Sequence, residues 1–196
     1  MDKLVLATSN PDKLKEIQAI LHFPGLTIIP QSEFKVVDAD ETGLTLIENA
    51  IIKARHACQM TGLPALADDT GLAVDYLKGE PGVYSARYAG LPSNSERNIE
   101  KLLAALEGVP DDKRGATFYC VMVLMQHAND PMPLIVQGQW SGRILSARAG
   151  SQGFGYDAIF YLNEYKMTAA ELDPALKNRV SHRAQALEKL SDALLK

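Results

Sequence analysis

The stretch from Leu4 to Leu21 constrains the fold more than any other. Leu4 to Ala7 is an apolar run of strand character, whereas Leu14, Ile17 and Leu21 recur at helical spacing. Between them stand Thr8, Ser9, Asn10 and Pro11. Asn10 suits an N-cap, and Pro11 suits the first helical position, where its missing N–H costs nothing. A strand leading through a cap into a helix is the opening of an α/β fold. Free amides of that first turn would stabilise an anion in front of the strand end, phosphate above all, with Thr8, Ser9, Asn10 and Lys13 adding donors. The same opening also serves a purely structural role in many α/β chains.

Further along, LTIIPQSEF reads as a strand and KVVDADETG as an acidic loop ending at Gly43. Ile47, Ala50, Ile51, Ala54 and Cys58 then predict a helix that Gly62 stops. PALADDTGLAVDYL reads as two short strand segments broken by a turn at DDTG, with Gly71 taking a special backbone angle. GEPGVYSARYAG is too rich in Gly and Pro for regular structure, and Ile99, Leu102, Leu103 and Leu106 restore helical spacing. ATFYCVMVLM and PLIVQGQWSGRIL form a hairpin pattern, where Tyr119 and Trp140 serve packing or a subunit contact. A glycine-containing loop, GSQGFGYD, precedes a short strand. The chain closes with a short helix, a connection around Asn178 to Ser181, and a helix carrying Ala184, Leu187, Leu190 and Leu194. No repeat, low-complexity tract or flexible linker divides the 196 residues, so one domain of two closely packed lobes, 1–196, is expected.

Charge and cysteine usage narrow the class. A net charge of −4, from 20 basic and 24 acidic side chains, argues against bulk nucleic acid or an anionic membrane as main partner. Cys58 and Cys120 read as buried thiols of a reducing compartment. No apolar run approaches the ~18 to 20 residues of a membrane span, so a soluble, cytoplasmic protein is expected.

Candidate chemistry gathers in three places. The first is acidic: Asp38, Asp40 and Glu41 in one loop, and Asp68 with Asp69 at a strand end. Consecutive strand residues point to opposite faces, so Asp68 and Asp69 cannot aim at one point unless the chain turns between them. Magnesium accepts one or two protein carboxylates together with phosphate oxygens and water; Glu41 with Asp69 would satisfy it, leaving Asp68 as a supporting group or further ligand. The alternative is that these acids cap helices or decorate loops. The second group is cationic: Lys13, Lys53, Lys177 and Arg183, of which Lys53 also reads as an ordinary solvent-facing lysine. The third is GSQGFGYD, which is neither a dinucleotide fingerprint nor a Walker A loop. There Phe154 either approaches a planar ligand or plugs the core, with Tyr156 or Asp157 setting the loop. Ser181 and His182 have local structural readings as cap and hydrogen-bonding residue.

Taken in order, TSNPDKLKE, ETGLTLIENAIIKARHA, ALADDTGLAVDYLKGEPGVYSARYAG, GSQGFGYDAIF and SHRAQAL resemble the inosine/xanthosine triphosphate pyrophosphatase family across essentially the whole chain. The resemblance implies an elongated α/β fold, a mixed sheet with flanking helices and two lobes around a central nucleotide-binding cleft. It also implies a homodimer and magnesium-dependent hydrolysis of ITP, dITP and XTP to monophosphate and pyrophosphate. Neither stable nucleic-acid binding nor a membrane is part of it. Carried over residue by residue, Thr8, Ser9, Asn10, Lys13 and Lys53 would hold phosphate, and Glu41 and Asp69 would hold Mg2+. Asp69 would also be the proton acceptor, with Asp68 and Lys13 beside it in the catalytic set. Phe154 would stack on the base within Gly155, Tyr156 and Asp157, and Lys177, His182 and Arg183 would complete the nucleotide site. Arg183 donors would face the 6-oxo group of the base. Thr70 departs from the serine more usual in the family but keeps its hydroxyl. A nucleotide-binding regulator, a phosphohydrolase of other modified bases and a structural dimer are the competing classes.

Overall fold

The computed structural model describes residues 2–22 and 24–195. In chain order its strands and α-helices are β1 (Lys3–Leu6), α1 (Pro11–Ile20), β2 (Thr27–Pro30), α2 (Leu46–Thr61), β3 (Ala65–Val74), β4 (Pro81–Gly82), α3 (Ser95–Ala105), β5 (Gly115–Met125), β6 (Leu134–Ile144), β7 (Phe160–Leu162), β8 (Met167–Thr168), α4 (Pro174–Val180) and α5 (His182–Leu194). The fold is mixed α/β. Its hydrogen-bonded strand order is β2-β1-β3-β5-β6-β7-β8, with β4 on β3. β1 runs parallel to β2 and β3, and β7 runs antiparallel to β6 and β8.

Contacts divide the described residues into two compact units. The first comprises the residues up to Asp69, Cys120–Gly138, and those from Arg183 onward. Its core lies on two sheet faces, sorted by the period-two alternation of the strands. Leu4, Leu6, Leu66, Cys120, Met122 and Leu124 pack with Ile17 and Leu21 of the α1 segment and with Ala186, Leu187 and Leu190 of α5. The residues of opposite parity, Val5, Ala7, Ala65, Ala67, Val121, Val123 and Met125, pack with Ala50, Ala54, Ala57 and Cys58 of α2. Small alanines on α2 let that helix approach the sheet closely. Both cysteines are buried, and neither forms a disulfide. The second unit, Thr70–Tyr119 with Gln139–His182, has its own core, in which Ile99 and Leu102 of α3 meet Leu72, Val74, Phe118, Trp140 and Phe160.

Local signals set the helix ends. Asn10 accepts from the amides of Asp12 and Lys13, and Pro11 is the first helical residue. Thr45 and Glu48 form a capping box at α2, and Gly62 ends that helix at φ 69°, a left-handed angle that favours glycine. Asn94 caps α3.

Three expectations need correction. DDTG does not interrupt a strand: β3 is continuous from Ala65 to Val74, with Gly71 inside it. Its turn-like composition yields to burial, because all but two of its ten residues are buried. LTIIPQSEF keeps only Thr27–Pro30 as strand, and Gln31–Phe34 turns into a 3-10 helix directly after the proline. The connection at Asn178 to Ser181 shrinks to Ser181 alone, since α4 reaches Val180 and α5 starts at His182.

Candidate functional site

The continuous β3 strand decides the site. Asp68 shares the parity of Leu66 and looks toward α1 and α5; Asp69 shares the parity of Ala67 and looks toward α2. Each carboxylate therefore meets a different set of cations within the first unit.

On the α1 and α5 face, Lys13 Nζ lies 2.8 Å from Asp68 Oδ2, and Arg183 Nη2 lies 3.4 Å from the same oxygen. Arg183 Nη1 donates to Glu16. Asp68 and Arg183 are each 1 % exposed. Burial opposes the charge on Asp68, but Lys13, Arg183 and Lys53 together outweigh it and hold the carboxyl far below the usual range. Burial likewise opposes the Arg183 charge, and the Asp68 carboxylate outweighs it with help from Glu16.

On the α2 face, Lys53 Nζ bridges two acids, 2.7 Å from Asp69 Oδ1 and 3.1 Å from Glu41 Oε1. Lys53 is thus drawn inward and is no ordinary surface lysine. Burial raises the Asp69 pKa, and the Lys53 charge only partly offsets it. On Lys53 itself burial works against the charge, and Asp69, Asp68 and Glu41 outweigh it to raise the pKa. Asp69 Oδ2 is buried with no hydrogen-bond partner among the described residues.

That orphaned oxygen tests whether the residues suit a divalent cation. A buried acceptor left unmade is costly, so it is best accounted for by a ligand. No group of three or more His, Cys, Asp or Glu suited to a metal occurs among the described residues. Two carboxylates are enough for magnesium, which draws its other ligands from phosphate and water. The donor set of Glu41 and Asp69, all oxygen, fits that ion.

The anion turn differs from expectation. The amides of Asp12 and Lys13 are taken by Asn10 Oδ1, and the Leu14 amide bonds the Asn10 carbonyl. The Asn10 amide bonds Thr8 Oγ1. The helix amides are therefore spent on the cap, and Lys13 is the foremost side-chain donor of this turn. Ser9 Oγ donates to Asp38, which also accepts from Gln31 Nε2. Sequence reasoning missed this tie, because nothing local links residues 9, 31 and 38.

In the second unit the GSQGFGYD loop is built around Asp157. Its Oδ2 accepts from the Phe154 amide at 2.9 Å and pairs with Lys177 Nζ at 2.7 Å. Gly153 has φ 72° and lies so close to Asp157 that a Cβ would collide with the carboxylate. Lys177 Nζ also stands 5.0 Å from the centre of the Phe154 ring, which is half-buried. Tyr156 is buried and donates its hydroxyl to the Ser85 carbonyl, so it acts as a strut for the loop beside Gly155. Ser85 in turn accepts from the Leu72 amide, next but one after Thr70 on β3. His182 is 4 % exposed and stacks on Phe118, with ring centroids 4.8 Å apart.

Residues 4–193 match the Ham1 family. The chain is 58% identical over 194 residues to the dITP/XTP pyrophosphatase of Yersinia pseudotuberculosis, covering 99% of this chain and 98% of the relative. It is 55% identical to the dITP/XTP pyrophosphatase of Vibrio cholerae, covering 99% and 97%. Among solved structures, a HAM1 protein from Coxiella burnetii superimposes with a TM-score of 0.93 at 53% identity, covering 100% of this chain and 99% of the other. A match that runs from the first strand to the closing helix, and takes in every residue of both carboxylate clusters, makes this chain a member of the Ham1 family.

Proposed function

We propose that this protein hydrolyses non-standard purine nucleoside triphosphates, ITP, dITP and XTP, to the monophosphate and pyrophosphate in a magnesium-dependent reaction. The observation that carries the reading is the pair of opposed clusters built on β3, Lys13–Asp68–Arg183 and Lys53–Asp69–Glu41, in a chain 58% identical to a dITP/XTP pyrophosphatase. Water attacks the α-phosphorus, its oxygen enters the monophosphate, and pyrophosphate leaves. Asp69 orients the attacking water and is assigned to accept its proton. Lys13 and Lys53 offset charge on the phosphate oxygens, with Thr8, Ser9 and Asn10 as further polar contacts. Glu41 and Asp69 would hold magnesium, which when bound would supply additional charge stabilisation at the phosphates. Asp68 holds Lys13 and Arg183 in place. Phe154 stacks on the base, with Gly155, Tyr156 and Asp157 shaping the loop, and Lys177, His182 and Arg183 complete the base side. Thr70 keeps the hydroxyl that follows the two aspartates.

Cytoplasmic location and a homodimer belong to the same reading. They are supported by two buried thiols that form no disulfide and by the family resemblance. The testing experiment measures pyrophosphate release from ITP, dITP, XTP, GTP and ATP with and without magnesium. Release confined to the first three, dependent on the metal and labelling the monophosphate in oxygen-18 water, is expected. Label in pyrophosphate would overturn the site of attack, and equal turnover of all five would overturn the substrate class.

A further inference from the structure

The Lys53 ammonium sits where the two proposed metal acids come together, in hydrogen-bond reach of both Glu41 Oε1 and Asp69 Oδ1. Its side chain is only 14% exposed, so solvent screens it weakly. A divalent ion arriving alone meets carboxylates already half neutralised, and it meets the repulsion of a fixed positive charge. The ion can take Asp69 Oδ2, which the ammonium leaves open, but it then stands beside that fixed charge, and the neighbouring Asp68 already pairs with Lys13 and Arg183. A triphosphate changes that balance. Its oxygens give the ammonium new acceptors, and the four-carbon stem of lysine lets the head group reorient. We propose that Lys53 is an internal counter-ion that suppresses uptake of a free divalent cation, so that the ion enters together with the triphosphate. The inference rests on the assignment of Glu41 and Asp69 as the metal acids.

The test is titration of Mn2+ alone, without nucleotide, followed by the electron paramagnetic resonance of the free ion at pH 8 to keep proton competition low. Wild type is compared with Lys53→Met, Lys53→Gln, Lys53→Arg and the double variant Lys53→Met/Asp69→Asn. Both uncharged variants are expected to bind Mn2+ about tenfold tighter than wild type, a modest part of what a unit charge ~4 Å away can contribute at an effective dielectric of ~20. Lys53→Arg should remain like wild type, and Asp69→Asn should abolish the gain. Equal or weaker binding by the uncharged variants, no detectable binding by them, or a gain that survives Asp69→Asn overturns the proposal. Circular dichroism confirms that each variant is folded before it is scored. Failure of the enzymatic reading shows separately, as wild-type protein that releases no pyrophosphate from ITP.

Discussion

Asp68 and Asp69 are neighbours in the chain, yet they ionise against different surroundings. Asp68 has its pKa depressed, so its stabilising contribution is present above the ordinary aspartate value near ~3.9 and is lost only in stronger acid. Removing its charge leaves Lys13 and the buried Arg183 guanidinium poorly balanced. Asp68→Asn is expected to lower stability by about 3–5 kcal/mol, measured by urea unfolding at neutral pH. Asp69 has the opposite sign. Its folded pKa is raised, so the fold favours the protonated acid, and that contribution is lost as pH rises through the folded value. Asp69→Asn should therefore abolish pyrophosphate release while raising the melting temperature of the metal-free protein by about 2–4 °C, read by calorimetry in chelator. A drop in melting temperature would show that the Lys53 pair outweighs the burial of Asp69. The pattern of a charged pair was legible in DD, but its division between two faces was not, because it required DDTG to stay extended.

At the scale of elements, the site depends on how two irregular segments are tied down. The loop bearing Glu41 has little apolar anchoring: Val36 is buried, but Val37 is 78% exposed, and residues from Val37 to Asp40 border a cavity of about 570 Å3. Hydrogen bonds hold it instead. Asp38 accepts from Ser9 and Gln31, the Val37 carbonyl contacts His56 Nε2, and the Gly43 amide donates to Asn49. Asp38→Ala should speed amide exchange at residues 36–43 while leaving α2 protected, and lower kcat for ITP by about tenfold or more through misplacement of Glu41. Unchanged exchange would show that the loop is held by its other ties. The GSQGFGYD loop hangs on one carboxylate. Asp157→Asn weakens its hold on Lys177 and on the Phe154 amide, and is expected to raise KM for ITP more than it lowers kcat, in steady-state kinetics. The helices themselves were legible from spacing and caps, including Asn10, Thr45 and Gly62. The fate of the first-turn amides was misread because a good N-cap consumes the donors that an anion would use.

For the whole molecule, light scattering is expected to give about twice the 21.4 kDa chain mass. A value near one chain mass would remove the homodimer from the proposal. The sequence by itself determined the α/β class, most helix positions, the buried thiols and the family, because periodicity, capping and motif order are all local or linear properties of a chain. It also named the residues from which both carboxylate clusters are built, apart from Glu16 beside Arg183. Tertiary structure alone decided who meets whom. Arg183 reaches Glu16 across 167 positions and Asp68 across 115, and Lys53 reaches Asp69 across 16 and Glu41 across 12. Such pairings follow from strand parity and from which helix covers which face of the sheet. Those are set when long-range burial overrides the local turn preference of a sequence such as DDTG, and no spacing rule along the chain encodes that outcome.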